Sequence, residues 1–170
     1  MSNTDRPVGF RPQNACGARC RRYVITATEV LAHGDLVYFD SAGTLAIGDT
    51  GGRIAGVVNG GMIDATEGTV KATAEAGDTC MVWDDPNTVF IGQISTFAAA
   101  NPYTTASSAD CFDIVTTTGK QYINAASSSY DTIKVVGLEY EENGAKSVAG
   151  AYAKVECRIN GLKHAFGVTA

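Results

Sequence analysis

The sequence predicts an all-β protein, a compact β-barrel or β-sandwich of about ten short strands with an extended N-terminal arm. Three observations predict it. Apolar and β-branched residues alternate in short runs bounded by turn residues, as in Thr69-Val70-Lys71-Ala72-Thr73-Ala74, and no run sustains the 3.6-residue period of a helix. Nineteen Gly, four Pro and a charged fraction of 18% suit a chain of many turns. Residues 1–22, with Pro7, Gly9, Pro12 and Gly17, show neither period. A length of 170 residues suits one core, so the expected organisation is an arm over 1–22 and a single body over 23–170.

Taken in order, the arm offers Phe10 as its one large apolar side chain, and the first strand begins at Tyr23 and runs to Thr26. Thr28 to His33 crosses to a turn at Gly34-Asp35, which launches Leu36-Val37-Tyr38-Phe39; Asp40-Ser41-Ala42-Gly43 turns the chain back into Thr44 to Ile47. A glycine-rich loop over 48–52 precedes the strand Arg53 to Val58. Gly51-Gly52 and Gly60-Gly61 are not followed by Gly-Lys-Ser/Thr or by a helical pattern, so they read as turns and not as a phosphate loop. Thr69 to Ala74 and Thr79 to Trp83 are strands separated by Gly77-Asp78.

The run Val82 to Ile94 reads as a hairpin whose polar turn, Asp84-Asp85-Pro86-Asn87, projects from the sheet: Pro86 presets φ, and the short polar side chains bond nearby amides. Ser95 to Ala109 is the one helical excursion, through Phe97-Ala98-Ala99-Ala100, and Pro102 stops it. Cys111 to Val115 is a strand, Thr116 to Lys120 a polar turn and Ala125 to Ser129 a surface loop. Thr132 to Glu139 and Tyr152 to Ile159 are two long strands joined through Asn143-Gly144.

Charge is divided unevenly. Arg6, Arg11, Arg19, Arg21 and Arg22 face only Asp5 in the arm, which carries +4 and leaves −9 for the rest of a chain of net charge −5. A basic arm suits an acidic surface or nucleic acid, while the acidic body argues against wrapping nucleic acid around the whole domain, and no nucleic-acid partner is expected. No apolar run reaches the roughly 20 residues that span a bilayer, and the N-terminus lacks a signal peptide's apolar core, so a soluble, unprocessed protein is expected, with no membrane partner.

Five cysteines, an odd number, argue for reduced thiols, with Cys80 and Cys157 as small buried hydrophobes in apolar strands. Cys16 and Cys20 have the spacing of half a zinc site, but His33 and His164 are isolated, so no metal is expected; a short disulfide between the two stays open. There is no Gly-x-Ser-x-Gly elbow. Asp84 and Asp85 are adjacent, which turns them to opposite faces of an extended chain, and the loop supplies about three of the six to eight oxygens that calcium needs. No catalytic residue and no cofactor is therefore assigned, and the protein is not expected to be an enzyme.

Several segments together resemble the structural cement proteins that decorate the heads of tailed phages. They are Val82 to Gln93, with Asp84-Asp85-Pro86-Asn87-Thr88 followed by Phe90 and Gln93; the opening Asn3 to Pro12; and Ala153 to His164, supported by Leu36-Val37 and Gly56-Val57-Val58. The resemblance implies a non-enzymatic capsid decoration protein, made in the host bacterial cytoplasm and bound to the outer capsid surface of the virion. Its expected partners are the major capsid protein, whose subunit contacts it stabilises, and itself, as a homotrimer. The expected capsid-binding residues are Arg6, Phe10, Arg11, Arg19, Arg21, Arg22 and Tyr23, with the projecting turn Asp84, Asp85, Pro86 and Asn87 as a further interface. The alternative is a β-sandwich module that recognises a host cell-surface carbohydrate through exposed aromatics, although Trp83 lies in an apolar strand and reads as core.

Overall fold

Short alternating runs are stable only when paired, and the chain pairs them into two sheets. The structure, a computed structural model, describes residues 9–15, 17–48, 53–95, 111–117, 120–124, 130–138 and 152–166. Within these lie β1 (Arg11–Pro12), β2 (Cys20–Val24), β3 (Leu36–Phe39), β4 (Leu45–Ile47), β5 (Arg53–Ile63) and β6 (Val70–Lys71). The remainder are β7 (Thr79–Trp83), β8 (Phe90–Gln93), β9 (Cys111–Thr117), β10 (Lys120–Asn124), β11 (Ile133–Leu138) and β12 (Lys154–Ile159), and there is no helix among the described residues. The fold is all-β. The expected helical turn at 97–100 and the Asn143-Gly144 turn lie outside the described residues.

One sheet has the order β1-β8-β12-β11-β9-β10 and the other β2-β7-β5-β3-β4, with β6 on β5; all these pairings are antiparallel. Both sheets curl. Ile94, just past β8, bridges Ile123 of β10, and Ile25, just past β2, bridges Leu45 of β4, each in parallel. These contacts bring together strands far apart in the sheet order and cover edges that would otherwise be open.

β7 explains why two cores form. Its register sets Trp83 beside Cys20 and Val57, and one residue on, Val82 beside Arg21 and Val58. Alternation sends these rows to opposite faces. Trp83 and Val57 join Phe10, Phe90, Val155 and Cys157 between the sheets, whereas Val82, Val58 and Cys80 join Leu45 and Met62 inside the curl of the second sheet. Trp83 is thus core, as its apolar strand suggests, and burial pushes the Cys80 thiol up to about 12. Gln121 ties the sheets together. Its side-chain amide, 2% exposed, accepts from the Leu36 N–H at 2.5 Å and donates to the Leu36 carbonyl at 3.1 Å, so a β10 side chain pairs with β3 as a neighbouring strand would.

Two expectations require correction. Val82 to Ile94 is not a hairpin: β7 is flanked by β2 and β5 in one sheet, while β8 is flanked by β1 and β12 in the other. With both edges of each strand occupied, the polar turn between them is a corner joining the sheets. Nor is the described part of residues 1–22 a separate arm. Phe10 is 1% exposed in the inter-sheet core, and its N–H donates to the Gly34 carbonyl at 2.7 Å. The ring lies over Gly92 of β8, where a Cβ would fall 2.7 Å from it. Arg11 and Pro12 then pair with Ile91 and Phe90, and β2 begins at Cys20, three residues before the expected Tyr23. Residues 1–8 lie outside the described residues.

Candidate binding surface

The corner Asp84–Thr88 and the chain over 13–23 were singled out separately by sequence, and the fold places them together. β2 runs beside β7, and the Asp84 N–H donates to the Arg19 carbonyl at 3.2 Å. The fully buried Asp84 carboxylate accepts from Arg19 Nε at 2.7 Å and from the Tyr23 hydroxyl at 2.6 Å, with Arg21 Nε at 3.5 Å; Arg19 also donates to the Asp84 carbonyl at 2.8 Å. Burial first, and then the bond to Asp84, pushes the Tyr23 hydroxyl up to about 12.

Three expected interface groups are therefore engaged by the molecule's own Asp84, with the Arg19 and Arg21 side chains still 40% and 54% exposed. Arg19, Arg21 and Tyr23 surround Asp84, which does not project, and its inward turn removes it from any calcium cage in this loop. Phe10 is core and offers no anchor to a partner. Cys20 is a free thiol that accepts from Asn59 Nδ2 at 3.5 Å, while Cys16 and Arg6 lie outside the described residues.

The cluster recruits residues that sequence reasoning did not assign. After β12 the chain crosses to the second sheet, where His164 bridges Ile54 in parallel, and Phe166 stacks on Tyr23 at 6.1 Å and meets Phe39 edge-on at 6.0 Å. The Arg19 guanidinium lies 5.8 Å from the Phe166 ring centroid. His164 Nδ1 accepts the Phe166 N–H at 3.1 Å, which assigns the proton to Nε2, a buried group with no partner among the described residues. Burial lowers its pKa to about 4. More than 140 positions separate Arg19 from His164 and Phe166, and no local pattern announces the contact.

What remains available is the other side of the corner. Asp85 Oδ1 accepts the Asn87 N–H at 2.9 Å and the Asp85 carbonyl accepts the Thr88 N–H at 3.0 Å, so Asp85, Pro86 and Asn87 form a self-capped turn. Across from it run Gln13, Asn14, Gly17 and Ala18, and between the two lies an open cleft of about 310 Å³. The Gln13 N–H donates to the Val89 carbonyl at 2.8 Å and holds this wall against the turn. Arg11 is exposed two residues away on β1, a two-residue edge strand. The cleft wall carries one carboxylate, from Asp85, among amides and a hydroxyl, a lining suited to the polar groups of an extended peptide. No aromatic side chain lines it among the described residues.

No protein-family model, no curated protein and no solved structure matches the chain. The functional reading rests on the residues and their arrangement. Among the described residues, no group of three or more His, Cys, Asp or Glu is placed to hold a metal ion.

Proposed function

We propose that the protein is a capsid decoration protein, without enzymatic activity, that binds the outer surface of a tailed-phage head and strengthens contacts between major capsid protein subunits. One observation carries the reading. The three distant segments on which the resemblance rests supply adjacent strands of one sheet: the opening segment β1, the segment after the corner β8, and the final segment β12, with Arg11 opposite Ile91 and Ile91 opposite Glu156. The supporting pieces are neighbours too, since Leu36 pairs with Val57 and Val57 with Trp83.

On this reading the capsid contact is made by the face containing Arg11 and the Asp85–Asn87 corner, whose cleft receives an extended capsid segment. Peptide groups suit the amide-lined wall, and acidic side chains suit the positive charge that Arg11 places beside it. Self-association as a trimer on the capsid belongs to the same proposal. The test is co-sedimentation of the purified protein with undecorated, expanded heads. Saturable binding that R11E together with D85A/N87A weakens about tenfold or more supports the proposal. Failure to bind heads, with retention on a glycan array, would replace it with the carbohydrate-binding alternative.

A further inference from the structure

Beyond the reach of the first sheet, the same face of the second sheet exposes apolar side chains at both edges. Trp83 and Val57 are covered by the inter-sheet core, but the next rows outward on the same face are Arg22–Met81–Asn59 and Val24–Thr79–Ile63–Val70. Their strand neighbours Cys80 and Met62 point the other way, into the second core, which confirms the facing. Val24 is 45% and Val70 73% exposed, with Met81 and Ile63 half-buried between them. Charge along this strip is unequal. Arg22 stands exposed at the β2 end, and Glu67 stands exposed in the turn between β5 and β6 at the other; neither makes an ion pair among the described residues. The nearby acids Asp64 and Asp78 are already neutralised by Lys71, at 2.8 and 3.6 Å.

We infer that this strip is a contact between two copies of the chain, related by a two-fold axis that sets each Arg22 against Glu67 of the other copy, and separate from the three-fold contacts within a capsid-bound trimer. An isologous contact requires a self-complementary surface, and a largely apolar strip with a cation at one end and an anion at the other, each unpaired among the described residues, has that symmetry. The strip is small against the roughly 800 Å² per partner of a stable interface, so the pairing is weak in solution and firm only where another surface holds copies together. Arg22 then serves the neighbouring copy, and the capsid contact of the preceding proposal is left to Arg11 and the corner. The inference does not depend on that proposal, because its test contains only this chain.

The experiment is sedimentation equilibrium of the full chain from low micromolar to about 1 mM. A monomer–dimer equilibrium within this range is expected, with the dissociation constant raised at least about tenfold by V70E. R22E alone and E67R alone should each weaken pairing, because each sets like charges together. An equimolar mixture of the two variants should restore it, since both contacts in the mixed dimer regain opposite charges; misfolded variants could not do this. A chain that stays monomeric throughout, variants without effect, or a mixture that fails to recover would each overturn the inference. If V70E abolishes head binding in a chain that never self-associates, the strip belongs to the capsid contact and the copy–copy assignment is wrong, while the decoration reading stands. Restored pairing in a chain that does not bind heads has the opposite meaning.

Discussion

The Asp84 carboxylate is wholly buried among Arg19 and Tyr23, whereas its neighbour Asp85 caps its own turn at the surface. Hydrogen bonds to a charged group are worth about 1.5–3 kcal/mol, but Arg19 is 40% exposed and its share is screened by solvent. D84A should therefore cost about 2 kcal/mol and D85A less than about 1 kcal/mol, read from urea midpoints. His164 supplies a pH dependence of definite sign. Its pKa is lowered from 6.5 to about 4 by burial, so between these values the unfolded chain binds the proton that the folded chain refuses. Its contribution is complete above about pH 6.5 and is lost as pH falls through about 4. Thermal melts across that window should show a decline in stability that is shallower in H164N. Asp40, held down to about 2 by bonds from Thr26 and Thr44, adds its own loss only at still lower pH.

At the scale of elements, the segment read as an arm is structural. β1 caps the free side of β8, Phe10 fills the space above Gly92, and Arg19 to Val24 line β7. Phe10 cannot be replaced from elsewhere, because a Cβ at Gly9, where φ is +71°, would meet the Gly34 carbonyl oxygen at 2.6 Å; the chain enters by one close path. F10A should cost about 3–5 kcal/mol by chemical denaturation. Deleting residues 1–22 should abolish a cooperative melt followed by near-UV circular dichroism. A truncated chain that still melts cooperatively at an unchanged temperature would restore the picture of a separable arm.

For the molecule as a whole, the two sheets share one core and the Gln121 clasp. Q121A should leave the Leu36 N–H without its partner in a buried site, at a cost of about 1–3 kcal/mol, while the denaturant slope stays unchanged. Two separated unfolding transitions in that variant would show that the clasp, and not the core, couples the sheets.

The sequence by itself determined the all-β class, because alternation and turn chemistry are local, and it located strands such as Leu36–Phe39 and Thr79–Trp83 at their observed bounds. It also determined that Trp83, Cys80 and Cys157 are buried, since each lies in an apolar run. β10 was illegible because Gln121 and Asn124 give it a polar look, and Gln121 is buried only by virtue of its bonds to Leu36. Likewise, a turn flanked by two strands has the same local pattern whether those strands pair with each other or enter different sheets. Tertiary structure alone decided that Asp84 turns inward, that Phe10 fills the body's own core, and that His164 and Phe166 close over Arg19 and Tyr23. These outcomes follow from competition among distant segments for strand edges and buried volume, and neither quantity is a property of any short stretch of chain.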